Sequence, residues 1–166
     1  MKNKTILVFL IFLFNSSYLN YLSAEEFKFD TTELQIIENG NLIKGVNGGT
    51  ITTKNNEIVI TANTFIYNKF TTLLEAKGDV VLDDKIKNIT IYTDEILYLK
   101  NEEKISTLGE TNINVQNKYK IIGSDLTLLR NEMILSSKKK TIIEDNRLNI
   151  YKPEQFQYSI DKEIFK

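Results

Sequence analysis

The sequence predicts an all-β fold built from repeats of roughly 30 residues, a sheet curled around an interior as in a jelly roll or an open taco-like fold, following an N-terminal signal helix. Two observations carry the prediction. A motif recurs at near-constant spacing: "ITANTFIYNK" from Ile60 returns as "IYTDEILYLK" from Ile91, with weaker copies at Phe29 and Ile121, in steps of 31, 31 and 30 residues. Within each copy, apolar residues alternate with polar ones in stretches rich in Ile, Val, Thr, Tyr and Phe, the pattern of half-buried strands. Repeats of this length bury their apolar faces only by stacking on neighbours.

The first element is a secretory signal peptide over residues 1–24. Lys2 and Lys4 form its basic start, Thr5 to Phe14 its apolar run, and Leu22-Ser23-Ala24 a cleavage point that ends in a small residue. A membrane-spanning helix needs about 20 apolar residues, and Asn15, Ser16, Ser17 and Asn20 interrupt this run well short of that. The rival reading is an uncleaved anchor. No cysteine follows Ala24, so no lipid attachment site is expected. Residues 25–166 then form one domain of a length that buries a sizeable core.

Composition narrows the chemistry. Net charge is −1 with 26% charged residues, which offers no basic field to nucleic acid. With no cysteine, no disulfide holds an exported fold together. With no histidine either, serine triads that need an imidazole base, thiol nucleophiles and ordinary zinc sites are excluded. The carboxylate pairs Asp83-Asp84 and Glu102-Glu103 sit in the turn-like stretches "LDDKIKN" and "KNEEKIS", where solvated tips are expected. No catalytic residue, metal or cofactor is predicted, and the chain is read as a non-enzyme.

Along the repeats, Thr31, Ala62, Thr93 and Gly123 are the small positions, Leu34, Phe65, Ile96 and Leu126 the bulky ones, and Ile36, Tyr67, Tyr98 and Leu128 the next inward candidates. "YLKNE" from Tyr98 returns as "LLRNE" from Leu128. A second apolar alternation follows each motif, led by Gly78-Asp79 and Gly109-Glu110; Lys139 replaces the glycine in the last copy, and Gly48-Gly49 is slightly displaced in the first. Each unit holds roughly two strands of about ten residues, each about 33 Å long. The alternation slips once, because Ile58, Ile60 and Ala62 share one parity while Phe65 and Tyr67 take the other. Asn63, Asp94 and Ser124 occupy the slip, where a bulge would bend the strand and keep both halves inward. The competing arrangement is a plain sandwich whose halves feed opposite faces. Lys138-Lys139-Lys140 is either an edge guard against aggregation or a contact for phosphates. Phe156-Gln157-Tyr158 reads as a fifth copy of Phe65-Ile66-Tyr67, cut short at Lys166, as expected for the front of a longer protein.

The pattern in "ITANTFIY" with "EAKGDVVL", and in "IYTDEILY" with "TLGETNI", resembles the OstA-like family, the repeat of the lipopolysaccharide-transport protein LptA and of the N-terminal periplasmic domain of the assembly protein LptD. The resemblance covers about Phe27 to Ile164. It implies an open, twisted, V-shaped antiparallel β-jelly roll in the periplasm or at the outer membrane, with an apolar groove for the acyl chains of lipid A and end-to-end strand addition to other such domains. Carried over position by position, the groove falls on Ile60, Ala62, Phe65, Tyr67, Leu74, Val80, Leu82, Ile91, Ile96, Tyr98, Ile105, Ile113, Val115, Ile121, Leu126 and Leu128. The truncated fifth copy favours the LptD arrangement, with the outer membrane as a further partner. The length favours a free-standing LptA, and the absence of cysteine departs from disulfide-controlled barrel maturation. A structural β-repeat protein with a sealed interior remains the reading from a different class.

Overall fold

A computed structural model describes residues 27–166; the signal-peptide reading of residues 1–24 lies outside the described residues. The described residues form one sheet of 14 strands, every pairing antiparallel. In order these are β1 (Phe27–Ile37), β2 (Leu42–Thr53), β3 (Ile58–Ala62), β4 (Thr64–Asn68), β5 (Leu73–Asp84), β6 (Ile89–Leu99) and β7 (Lys104–Val115), then β8 (Tyr119–Ser124), β9 (Thr127–Leu129), β10 (Ile134–Ser137), β11 (Ile142–Asp145), β12 (Ile150–Tyr151), β13 (Phe156–Ser159) and β14 (Ile164–Phe165). Through β7 the strands follow one another as hairpins, and beyond it β8 pairs with β11 and β10 with β13, so each repeat lies against the last.

Register stacks equivalent repeat positions in rows across the sheet. Ile51, Ile60, Leu82, Ile91, Ile113, Ile121 and Ile143 face one another strand by strand. So do Ile43, Tyr67, Leu74, Tyr98, Ile105, Leu128, Leu135 and Tyr158. Both rows are buried. Because side chains alternate between faces with period two, a single register slip would expose a whole row.

Between the rows lies a line of irregularities. Register shifts fall between Thr31 and Glu33, Lys77 and Val80, and Thr93 and Glu95. Asn63 separates β3 from β4, and its amide nitrogen reaches the carbonyl oxygens of Lys77 and Gly78 at 3.1 and 3.0 Å. Asp94 occupies the equivalent shift in β6. In the last copy the break falls one residue later than expected, at Asp125, whose carboxylate accepts a bond from the Gly109 amide at 3.1 Å. These bulges reset parity and bend the sheet, dividing it into two wings.

The wings fold onto each other rather than forming a plain two-sided sandwich. Phe27 stands opposite Thr53 at one end of the β1–β2 ladder, while Ile43 and Tyr67 mark the other end. Yet the Phe27 and Tyr67 rings meet edge to face with centroids 4.9 Å apart. The far ends of the same strands therefore touch across the interior. Beyond β7 the wings continue separately, as β8, β11 and β12 in the first and β9, β10, β13 and β14 in the second. β1 does not pair with β12 or β14, so the roll is open.

One expectation fails at the edge. Leu34 and Ile36, placed inward by the repeat, are exposed. They lie on β1, the outermost strand, and the interior there ends with Phe27 packed on Tyr67 and Tyr98. Periodicity marks a face of a strand but cannot tell whether a second wing covers it.

Candidate functional site

All sixteen positions assigned to the groove point inward, and none is more than 5% exposed. Ile60, Leu82, Ile91, Ile113 and Ile121 belong to the first wing's row, with Val115 nearer the strand ends. Tyr67, Leu74, Tyr98, Ile105 and Leu128 make the second wing's row, and Phe65, Ile96 and Leu126 lie between that row and the bend. Ala62 and Val80 flank the bend itself. Phe27, Ile43, Ile51, Ile58, Ala76, Ile89, Met133, Leu135, Ile143, Phe156, Tyr158 and Ile160 complete the interior. Most of these escaped the sequence reading because they sit on return strands, outside the motif; pairing Ile51 with Ile60 across the hairpin would have found them.

At the mouth, where the wing ends meet, aromatic and ionic contacts alternate. Phe27 packs edge-on against Tyr67 and Tyr98. Next comes Arg130, 6% exposed, whose Nε donates to Asp84 Oδ2 at 2.6 Å across the wings, while its Nη1 donates to Glu103. Its Nη2 lies 3.7 Å from Glu57. Tyr98 Oη donates to Glu103 Oε2 at 2.9 Å. Farther along, Tyr119 packs edge-on against Tyr158 and Phe165, and Lys118 pairs with Glu163.

This cluster corrects the expectation for the carboxylate pairs. Asp84 is fully buried, not a solvated tip. Its other oxygen accepts the Lys87 amide at 3.0 Å and closes the turn after β5. Burial pushes the Glu103 carboxyl up, but hydrogen bonds from Lys100, Arg130 and Tyr98 outweigh it and hold it below the usual range. Burial likewise opposes the charge on Arg130, and the bonds to Asp84 and Glu103 and the charge of Asp84 together more than restore it. Tyr98 is pushed well above an ordinary phenol, first by burial and then by the Glu103 charge. The groups satisfy one another.

Lys138, Lys139 and Lys140 lie on the segment joining β10 to β11, beside the bend. Lys139 pairs with Asp125, and Lys140 lies 3.4 Å from Glu154. Among the described residues no cluster of acidic side chains is arranged to hold a metal.

The interior opens at the C-terminal end. A cavity of about 650 Å³ lies there, lined by Tyr119, Ile143, Tyr151, Pro153, Phe156 and Phe165, with Lys152 and Lys166 among its polar members. It continues both rows, since Ile143 ends the first and Phe165 stands opposite Tyr158 at the end of the second. Tyr158 next to it is pushed up to about 12 by burial, and its hydroxyl has no partner.

Strand order, the line of bulges and the two inward rows define a folded-over, open antiparallel β-jelly roll. Among solved structures this fold is similar to LptH of Pseudomonas aeruginosa, described as the LptA-homologous periplasmic component of the conserved lipopolysaccharide transport device. The TM-score is 0.52 at 10% sequence identity, over 75% of this chain and 80% of that one. No family model matches the chain, and no curated protein matches it. The likeness is one of fold.

Proposed function

We propose that this chain is a lipopolysaccharide-transport domain of the periplasm, which holds the acyl chains of lipid A between its wings and passes them on toward the outer membrane. The observation that carries the reading is continuity: two apolar rows run the length of the fold and end in an apolar cavity at an open end. The likeness to LptH, itself described as part of a lipopolysaccharide transport device, supports the choice of cargo. Each methylene transferred from water is worth about 0.8 kcal/mol, so six yield about 5 kcal/mol without any headgroup anchor. A lining without directional bonds holds a chain and lets it slide.

Acyl chains reach the interior at the cavity and advance by displacing side chains of the two rows. The edges of β1 and of β12 and β14, which pair with no further strand among the described residues, supply main-chain donors and acceptors for strand addition by a like domain. The LptD arrangement, in which such a domain precedes an outer-membrane barrel, and the free-standing LptA arrangement are separated by the coding sequence beyond Lys166.

The test places a photo-crosslinking residue at Phe156, at Tyr98 and, as an outward control, at Tyr92, then irradiates with lipopolysaccharide. Adducts from Phe156 and Tyr98 with little from Tyr92 are expected. Folded protein that yields none from the inward sites, or as much from Tyr92, sinks the reading and leaves the sealed structural repeat.

A further inference from the structure

The most exposed large apolar side chains among the described residues are Phe70, Leu148 and Ile86, at 87%, 75% and 66%. None lies on a strand. Each crowns a hairpin turn at the mouth, and each has a cation beside it: Lys69 before Phe70, Lys85 and Lys87 around Ile86, and Arg147 before Leu148.

Ile86 and Leu148 belong to the first wing, whose turns 54–57, 85–88, 116–118 and 146–149 stand in one row. Successive turns are two strands apart, roughly 10 Å. The row carries Lys54, Lys85, Lys87, Lys118 and Arg147 against Glu57 and, at the base of the last turn, Asp145; Asp84 beneath Ile86 is matched by Arg130. Among the described residues, Lys54, Lys85, Lys87 and Arg147 form no ion pair. The facing row of the second wing has the opposite charge balance, although its turn 69–72 also carries Lys69 and Phe70. In turns 38–41, 69–72, 100–103, 130–133 and 160–163, Glu38, Glu102, Glu103, Glu132, Asp161 and Glu163 outnumber Lys69, Lys100, Arg130 and Lys162.

The basic turns are built, not loose. Asp84 accepts the Lys87 amide at 3.0 Å. Asp145 accepts the amides of Arg147 and Asn149, both at 2.9 Å, and further bonds from the Asn149 side chain and the Tyr151 hydroxyl. Leu148 is held at φ 65°, left-handed backbone that a leucine adopts only under strain. A turn that needed only to reverse the chain would take glycine or asparagine there. Here a branched apolar side chain is pointed at solvent beside an arginine.

We propose that this row of turns docks on an anionic lipid bilayer, with Ile86 and Leu148 entering the headgroup layer and the lysines and arginine meeting lipid phosphates. Ile86 and Leu148 are two repeats apart, roughly 20 Å, too far to share one small ligand and suited to a flat surface. Apolar side chains flanked by cations are what partition into such an interface, through burial and attraction to anionic lipid together. The acidic row of the second wing is repelled by the same surface, so the domain rests with its first wing down. The inference is independent of the cargo reading, since it concerns the mouth turns and not the interior.

Residues 25–166, which contain every described strand, are sedimented with vesicles of phosphatidylglycerol or of phosphatidylcholine, neither containing lipopolysaccharide. Strong binding to phosphatidylglycerol alone, weakening as salt rises, is expected. Ile86→Ser with Leu148→Ser should lower that affinity at least tenfold with little change in Tm, Lys85→Gln with Lys87→Gln should lower it and flatten the salt dependence, and Tyr92→Ser should leave it unchanged. Absence of binding, equal binding to both lipids, or a double apolar variant that binds like the parent overturns the proposal.

Discussion

At the bend, the two wings are one continuous backbone, turned by bulges whose amides and carbonyls bond to each other across neighbouring strands. At the mouth the same wings only touch, through the Phe27 ring, the Arg130 cluster and the edge-on contacts of Tyr119. The bend is made of small and polar residues repeated every 30 or so positions, and the mouth of contacts that differ from one repeat to the next. The difference teaches which closure can yield. Opening the bend means breaking many main-chain bonds, whereas opening the mouth means separating a few side chains.

The sharpest way to break that contrast is Arg130→Ala. It leaves Asp84 buried and unpaired, and losing one partner of a buried pair costs about 3–5 kcal/mol. Denaturant unfolding should show that loss, with increased binding of a hydrophobic dye as the mouth parts. Arg130→Met combined with Asp84→Leu should recover much of the stability, because two apolar groups replace the ions without leaving a bare charge. If the double variant is no better than the single, the ion pair is not what closes the mouth.

The bend is probed by two glycines. Gly78 has φ +79°, and an added Cβ would lie 2.6 Å from the Asn63 side chain; Gly109 has φ +83° and open space. Gly109→Ala should cost about 1 kcal/mol, the left-handed backbone alone. Gly78→Ala should cost about 2–3 kcal/mol, adding the clash to the strain. Equal losses in thermal unfolding would mean that Asn63 yields freely and does not brace the bend.

The smallest effect comes from pH. The folded Glu103 carboxyl titrates below its ordinary value of 4.5, so its contribution is fully present above that value and fades as pH falls through the folded one. Tm should decline on acidification through this window. Glu103→Gln should make the decline shallower, while Lys77→Gln, far from the mouth, should not.

Much of the fold is legible in the sequence. Ile60, Ile91 and Ile121 fall in one row because a constant repeat length and hairpin pairing return equivalent residues to the same register. Asn63 and Asp94 marked the bend because a change of parity within a strand requires an extra residue there. Leu34 and Ile36 were misread because the same pattern recurs on an edge strand that no second wing covers. Asp84 was misread because a pair of aspartates in a turn gives no sign of an arginine 46 positions later.

The sequence by itself determined the compositional exclusions, the strand period, the inward parity and the bend, all of which are local properties of side-chain alternation and turn chemistry. Only the tertiary structure decided that the wings close on each other, that Phe27 meets Tyr67 and Tyr98, and that Arg130 is buried against Asp84. These contacts join strand ends remote in sequence, and their partners are chosen by how far the sheet bends, a sum over every bulge that no single repeat encodes.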